Sequence, residues 1–329
     1  IAGYNYTENA AYGSAVIMGC SMNSNVSGDK NVGGLTGDNS GKLTLSGTVG
    51  SDTSSLTISG KNNVGGIAGK NEGSGVINCS AEIKATGSGL SVKASGDNAG
   101  GIVGYMTAGN ITGTADGSIK SYATVNAGGN YAGGIVGNMA AGGTISYTEN
   151  YGSVQASAGY AGGITAYNAA SGTKVSTISN SVDYGNVTST TGYAAGIASE
   201  NEGIIDSCSV VSAGGNNITT LFSSASAAGV ISSINKGTVS NCISGIASST
   251  SYVLISDSIG TMIGGFVGQN NGIVYGGQVN SGLSYKTNMS SIMLGGAVGN
   301  NSANGLIGND GVHTSVDLDF NSFTGVQYL

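Results

Sequence analysis

The feature that most constrains the fold is a pair of small residues, usually Gly-Gly, that recurs along the chain with an apolar residue directly behind it. Numbered by the first small residue, the anchor, the pair occurs in NVGGLTG at Gly33, NVGGIAG at Gly65, NAGGIVG at Gly100, YAGGIVG at Gly133, YAGGITA at Gly162, YAAGIAS at Ala195, SAAGVIS at Ala228, MIGGFVG at Gly264 and MLGGAVG at Gly295. By subtraction, successive anchors lie 32, 35, 33, 29, 33, 33, 36 and 31 residues apart. A near-constant period in the range of 20 to 50 residues is typical of solenoids and propellers.

Each repeat unit holds three short apolar segments that are rich in β-branched residues and bounded by turn residues, a pattern that predicts strands. No window shows the 3.6-residue periodicity of a helix, because glycine interrupts every one. Three strands in about 33 residues fit one coil of a parallel β-helix better than the four-stranded blade of a WD40 propeller. We therefore predict an all-β, parallel β-solenoid of about ten coils, right-handed by the crossover rule for parallel strands.

The paired glycine is predicted to form a corner at which the backbone adopts a positive φ or passes very close to the neighbouring coil. Alanine at anchors 195 and 228 favours close approach. The residue two places after each anchor should then point inward and stack with its counterparts in one aliphatic ladder. This predicted ladder consists of Leu35, Ile67, Ile102, Ile135, Ile164, Ile197, Val230, Phe266 and Ala297.

Composition excludes some classes of function. The chain has 61 glycines in 329 residues, no proline, and a formal net charge of −7, and all ten of its basic residues are lysine. Nucleic-acid binding relies on clustered cations and on arginine forks, so we exclude it. No apolar run approaches the roughly 18 residues that span a bilayer, so no membrane span is expected in this segment.

The repeat units resemble the GLUG-motif repeats of bacterial surface and secreted proteins, which occur in adhesin-like proteins and beside IgA-protease-type peptidase domains. The resemblance rests on VGGIAGKNEGSGVINCSAEI (64–83) and AAGVISSINKGTVSNCISGI (227–246). It implies a solenoid at the cell surface or outside the cell, and it carries no catalytic residues with it. We assign residues 1–311 to GLUG-like repeats, with an incomplete first coil, and residues 312–329 to a C-terminal strand or cap.

Tyrosine supplies the candidate binding surface. Tyr131, Tyr160 and Tyr193 stand two residues before the anchor in three consecutive units. Such a column is either a stripe that stacks on a glycan or docks a protein, or a self-stacking surface that protects the corner.

The other chemical groups favour structural interpretations. Cys79, Cys208 and Cys242 fall 13 or 14 residues after their anchors, at one predicted ladder position, and Cys208 and Cys242 form either a disulfide or stacked thiols. The single histidine, His313, and the absence of a C-x-x-C motif predict no metal site. The carboxylate pairs Glu200/Glu202 and Asp317/Asp319 lack a basic partner in the sequence, which indicates solvated coil edges, so we predict no catalytic residues and no cofactor.

Taken together, these features predict a non-catalytic structural or adhesive segment, extracellular, that acts as a rigid stalk or display surface. Its expected partners are a surface glycan or protein ligand and further copies of itself, stacked end-on or laterally into fibres. The alternative is a carbohydrate-binding or carbohydrate-cleaving β-helix.

Overall fold

A computed structural model describes residues 2–6, 15–79, 82–140, 142–211, 220–223, 227–245, 252–255, 262–280, 282–285, 293–308 and 326–328. The described residues form an all-β parallel solenoid of about eight turns without helix. The predicted class is therefore confirmed, with a slightly smaller number of turns than the ten expected. Its handedness stays a prediction.

Each turn passes through four sheets, with strands numbered β1 to β46 in chain order. Sheet A contains β1 (Ala2–Asn5), β5 (Thr36–Asn39), β9 (Ala68–Asn71), β14 (Val103–Met106), β19 (Val136–Met139), β24 (Thr165–Asn168), β31 (Ala198–Asn201), β36 (Ser232–Asn235), β40 (Val267–Asn270) and β44 (Val298–Asn301). Sheet C contains β3 (Val26–Ser27), β7 (Leu56–Gly60), β12 (Leu90–Ala94), β17 (Thr124–Ala127), β22 (Val154–Ala156), β29 (Val187–Ser189), β34 (Thr220–Ser223), β38 (Tyr252–Ile255), β42 (Gly282–Tyr285) and β46 (Val326–Tyr328).

Sheet B lies between them along the chain and holds two strands in many turns. Its first column contains β2 (Val16–Met18), β6 (Lys42–Leu45), β10 (Val76–Cys79), β15 (Gly109–Thr112), β20 (Gly143–Ser146), β27 (Thr177–Ser179), β32 (Ile204–Asp206), β37 (Thr238–Ser244), β41 (Ile273–Val279) and β45 (Leu306–Ile307). Its second column contains β11 (Ile83–Thr86), β16 (Ile119–Ser121), β21 (Thr148–Asn150), β28 (Val182–Asp183) and β33 (Ser209–Val210), and it joins the first at β37.

Sheet D runs through the predicted corners. It contains β4 (Lys30–Gly33), β8 (Asn62–Gly65), β13 (Ala99–Gly100), β18 (Tyr131–Gly133), β23 (Tyr160–Gly162), β30 (Tyr193–Ala195), β35 (Ala227–Gly229), β39 (Met262–Gly264) and β43 (Met293–Gly295). Each turn therefore has more strands than the three expected, because hydrogen bonding between turns continues into the small-residue corner. A short antiparallel hairpin, β25 (Ala170–Ser171) with β26 (Lys174–Val175), interrupts one turn.

The predicted corner is made by close approach. None of the anchor glycines has a positive φ, whereas a Cβ added at Gly133 or Gly134 would meet backbone carbonyl oxygens, of Val136 and Gly163 respectively. The prediction of close approach is thus confirmed, and the positive-φ interpretation is wrong.

The aliphatic ladder forms the core, with one correction. Leu35, Ile67, Ile102, Ile135, Ile164, Ile197 and Phe266 are all buried, and each is hydrogen-bonded through its backbone to the rung above or below. The rung between Ile197 and Phe266 is Ile231, because the Ile197 backbone N donates to Ile231 O and the Ile231 backbone N donates to Phe266 O. The prediction of Val230 is wrong by one residue, since Gly229, not Ala228, pairs with Ala195. Val230 is buried, but it occupies the second corner position, where the other units carry glycine. Ala297 packs partly buried against the core.

A column of asparagines, all buried except Asn301, runs beside the aliphatic ladder at the ends of the sheet A strands. The column contains Asn5, Asn39, Asn71, Asn168, Asn201, Asn235, Asn270 and Asn301. In each of the two runs, Asn5 to Asn71 and Asn168 to Asn301, every Nδ2 except that of the last asparagine donates to the Oδ1 of the next turn at 2.6–2.8 Å. Met106 and Met139 occupy the same register and interrupt the column. Because Met139 offers no N–H, the buried Asn168 Oδ1 has no hydrogen-bond partner among the described residues.

The predicted carboxylate pair near the C-terminus and the predicted C-terminal cap lie largely outside the residues that the structure describes. His313, Asp317 and Asp319 fall in residues 309–325, outside the described residues, as does the proposed boundary between 311 and 312. Of the predicted C-terminal strand or cap, Val326–Tyr328 is described, and it pairs in parallel with β42 as the last strand of sheet C.

Candidate functional site

The predicted tyrosine column forms a stack at the start of sheet D. Tyr131 pairs with Tyr160, and Tyr160 pairs with Tyr193, in adjacent parallel strands. The ring centroids lie 5.7 and 5.4 Å apart, with interplanar angles of 8° and 16°. All three side chains are partly buried. In-register pairing therefore fixes the rings over one another, so that neighbouring rings cover each other's faces.

Acidic and basic side chains of sheet A surround this stack. Tyr160 hydrogen-bonds to Glu200, and Tyr167, whose ring centroid lies 6.4 Å from that of Tyr131, hydrogen-bonds to Glu202. Lys236, one turn farther along, pairs with Glu200 and lies 3.3 Å from Glu202 Oε1. The expectation that this acid pair has no basic partner and lies on a solvated edge is wrong, because Lys236 reaches it from the next turn and Glu200 is only 7% exposed.

The tyrosine phenols in this cluster are held neutral. Partial burial, the negative charge of Glu200 and a hydrogen bond to that carboxylate raise the pKa of Tyr160 to about 12. Burial and the hydrogen bond to Glu202 likewise raise the pKa of Tyr167, and burial with the charges of Asp97 and Glu200 raises that of Tyr131. At neutral pH the phenols of Tyr160 and Tyr167 donate to Glu200 and Glu202, so the cluster joins three turns through hydrogen bonds and ion pairs.

The structure contains a second tyrosine stack that was not predicted from the sequence. Tyr122, Tyr151 and Tyr184 stack with centroid distances of 4.6 and 4.5 Å and interplanar angles of 4° and 8°. By subtraction they lie 22, 18 and 22 residues after their anchors, so alignment on the corner hides them. A shared local pattern, NYGSV at 150–154 and DYGNV at 183–187, is the signal that identifies two of them.

Charged groups also cover the second stack. Lys84 Nζ lies 4.3 Å from the Tyr122 ring centroid, and the Tyr151 hydroxyl donates to Glu149 Oε2 at 2.6 Å. Lys120 Nζ lies 2.9 Å from Glu82 Oε1 and 3.6 Å from Glu149 Oε2. Burial and the hydrogen bond to Glu149 raise the pKa of Tyr151 well above its usual value. As in the first stack, the aromatic and charged groups contact one another across turns.

Cys208 and Cys242 are buried thiols and do not form a disulfide. Cys208 and Cys242 lie in adjacent turns and are both fully buried and free, with Sγ atoms 3.3 and 3.1 Å from the carbonyl oxygens of Asp206 and Ser240. Burial and the neighbouring Cys208 raise the pKa of the Cys242 thiol. Cys79 is also buried. The strand register carries its neighbour Asn78 through the intervening turns to Ser240. Cys79 lies one residue after this position, whereas Cys242 lies two residues after it. The prediction of one shared ladder position is therefore wrong for Cys79.

One carboxyl group lies inside the solenoid. Asp183 is fully buried in a column that runs through Thr86, Ser121 and Asn150 before it and continues to Val210 after it. Its Oδ1 accepts hydrogen bonds from Asn150 Nδ2 at 2.8 Å and Gly185 N at 3.1 Å, whereas Oδ2 has no partner among the described residues. Burial raises the pKa of this carboxyl to about 8, and the two hydrogen bonds oppose part of that rise. Asp183 is thus predominantly protonated at neutral pH.

Within the part of the chain that the structure describes, no three His, Cys, Asp or Glu side chains come together in a way that suits a metal ion. No helix there has the length and hydropathy needed to cross a membrane. Comparison of the chain with protein-family models, with curated proteins and with solved structures finds no match. The resemblance to GLUG-motif repeats stays a prediction.

Proposed function

We propose that this chain is a non-catalytic structural or adhesive segment of a bacterial cell-surface or secreted protein, in which it acts as a rigid stalk or display surface. The observation that carries the proposal is the continuous interior. One apolar cluster extends from Val32 to Val279 through successive turns, with a buried amide column beside it. Such stacking gives a stiff rod, because each turn is fixed by its neighbours.

The contacts that lysine, glutamate and tyrosine side chains make with one another support a structural role. Lys236 pairs with Glu200 and Glu202, Lys120 pairs with Glu82 and Glu149, and the tyrosine rings stack on one another. A glycosidase requires two carboxyl groups that face a substrate groove, one of them an acid with a raised pKa. Glu200 and Glu202 share a lysine instead. The extracellular location rests on the resemblance of the repeats.

Self-association into fibres, end-on or lateral, is part of the proposal, because the outer strands of a parallel sheet present unpaired backbone groups that pair with another chain. The alternative is a carbohydrate-binding or carbohydrate-cleaving β-helix that acts at the Tyr131, Tyr160 and Tyr193 stack.

Two measurements test the proposal. Electron microscopy and small-angle X-ray scattering of the purified chain should show stiff rods of roughly 40 Å, from about eight turns at the inter-strand spacing, or fibres built from them. A reducing-sugar assay on a polysaccharide panel should show no product. Release of sugar, or a compact or unfolded particle in scattering, contradicts the proposal. Saturable glycan binding that is lost in the Tyr160→Ala variant favours the alternative.

A further inference from the structure

A shallow groove lined by small and polar residues lies on the outer face of sheet C. It has a volume of about 380 Å³, at the lower end of the range of small-molecule sites. Its lining comes from strands of four successive turns, β7, β12, β17 and β22, and from the residues that follow three of them: Ser59, Gly60, Lys93, Ala94, Ser95, Asn126, Ala127, Gly128, Gln155 and Ser157. The groove therefore runs along the solenoid axis for roughly 14 Å, three strand spacings.

In-register pairing brings four different polar side chains into one row along this groove. Ser59 pairs with Lys93, Lys93 with Asn126, and Asn126 with Gln155. The side chains of Lys93, Asn126 and Gln155 have no hydrogen-bond or ion-pair partner among the described residues. They differ in this respect from Lys70, Lys84, Lys120 and Lys236, which are all in ion pairs. The row thus offers one cation, two amides and a hydroxyl to a ligand.

Small residues leave room beside the row. Gly60, Ala94, Ala127 and Gly128 line the groove, and no aromatic or long aliphatic side chain does. An aromatic ligand consequently finds no ring in the lining on which to stack. A peptide that adds a strand is also unsuitable, because the sheet C backbone beneath the groove is already paired with the turns above and below. A polyanion such as a nucleic acid would meet a single lysine on a chain of net charge −7.

We propose that this groove binds a short oligosaccharide that carries one carboxylate, lying along the solenoid axis with its carboxylate on Lys93 Nζ and its hydroxyls on Ser59, Asn126 and Gln155. Sugar hydroxyls both donate and accept, as do amide and serine side chains, and a lysine ammonium pairs with one carboxylate as a point charge. This inference is independent of the structural role proposed above, because the chain can act as a rigid rod whether or not the groove binds a ligand.

The test titrates 3′-sialyllactose, a trisaccharide with one carboxylate, into the full chain, followed by isothermal titration calorimetry and by ¹H–¹⁵N spectra. We expect saturable binding with shifts at the Asn126 and Gln155 side-chain amides, and at least tenfold weaker binding of the neutral trisaccharide galactosyllactose. Lys93→Gln should weaken sialyllactose binding about tenfold. Ser157→Trp, at an exposed position, should abolish binding by filling the groove.

Matched controls keep the test independent of folding. Lys174→Gln removes an exposed lysine from the β25–β26 hairpin, and Ser153→Trp places the same ring at an exposed position next to the opposite end of β22. Both should bind as the parent does, and all four variants should retain the parent's circular dichroism and melting temperature. No binding at millimolar sialyllactose, equal affinity for the neutral sugar, or equal loss in Lys174→Gln would overturn the proposal. Binding that moves only the Tyr131, Tyr160 and Tyr193 signals would place the site on the tyrosine stack and likewise reject the groove.

Discussion

At the scale of single residues, the solenoid interior tolerates polar groups when the neighbouring turn supplies partners, and Asp183 is one of the few described residues with a buried polar atom that lacks one. Asn150 and Gly185 satisfy one of its carboxyl oxygens, while the other is buried without a partner in the described structure. A charge in this position is costly, because desolvation disfavours the ionised form. The folded chain therefore keeps a proton that the unfolded chain releases.

This retained proton predicts a pH-dependent stability. The pKa of Asp183 rises from 3.8 to about 8 on folding, so the unfolded state binds fewer protons between these values. Stability should fall as the pH rises from about 4 to about 8 and then level off, by an amount on the order of 5 kcal/mol for a shift of roughly four pKa units. Asp183→Asn, which cannot ionise, should remove this component and be more stable than the parent above pH 8.

Urea unfolding of parent and variant at pH 5, 7 and 9 measures the effect, and taking the difference cancels the other titrating groups. A difference in unfolding free energy that does not change between pH 5 and pH 9 would show that Asp183 is not protonated in the fold.

Substitutions of Tyr160 test how much the stacking of tyrosine rings between turns stabilises the fold. Tyr160→Ala removes two ring contacts and the bond to Glu200, and we expect a loss of about 1–3 kcal/mol in unfolding free energy. Tyr160→Phe keeps both ring contacts, so it should lose about 0.5–1.5 kcal/mol for the hydrogen bond alone. Thermal and urea unfolding measure both. Equal losses in the two variants would mean that the rings contribute nothing.

At the scale of elements, the strands are short and the contacts between turns define them. The corner illustrates this, because the small residues of the corner let adjacent turns approach closely enough to pair in sheet D. Gly134→Ala should therefore cost about 3 kcal/mol, since its Cβ would meet the Gly163 carbonyl and the Asn150 side chain. Gly3→Ala is the matched control, because nothing lies within 4 Å of a Cβ there. A loss in Gly134→Ala no larger than in Gly3→Ala would contradict the close-approach account.

The asparagine column makes a second prediction at this scale. Asn201→Ala leaves Asn235 Oδ1 without its donor and removes an acceptor of Asn168 Nδ2, so we expect a loss of about 2–4 kcal/mol. Met139→Leu, an apolar change at the same register, should cost less than about 1.5 kcal/mol. Urea unfolding compares the two variants. If Asn201→Ala were the milder change, the amide column would not stabilise the stack.

At the scale of the whole molecule, the apolar core continues through the turns where the amide column stops at Met106 and Met139. We therefore expect the rod to unfold in one transition. Cys79 lies before this interruption, and Cys208 and Cys242 lie after it, all three buried. Alkylation at increasing urea, resolved by peptide mass spectrometry, should label all three at the same midpoint, while the partly exposed Cys20 labels first. Separate midpoints would show two unfolding units divided at Met106 and Met139.

The sequence allowed the class of fold and seven of the buried ladder residues to be predicted, because the corner has a strict spacing and a strict steric requirement. The sequence alignment placed one rung at Val230 instead of Ile231. The reason is that Gly229-Val230 aligns by residue type with Gly196-Ile197, although Gly229 pairs with Ala195 in the structure. Lys236 and the second tyrosine stack were missed for another reason. Their contacts join residues in neighbouring turns, and units of 29 to 36 residues do not keep such partners at a constant separation in sequence.

The asparagine column has a direction. From Asn168 to Asn270 every Nδ2 donates to the Oδ1 of the asparagine in the following turn, so the amide dipoles add head to tail. In the first turns a second column, Asn98 to Asn63 to Asn31, runs the opposite way and offsets the series that begins at Asn5. Tyr131, Tyr160 and Tyr193 take the positions of that second column in the following turns, and no opposing series is found there among the described residues. The asparagine column of the later turns therefore carries a net dipole along the solenoid axis, with its positive end toward the C-terminal turns.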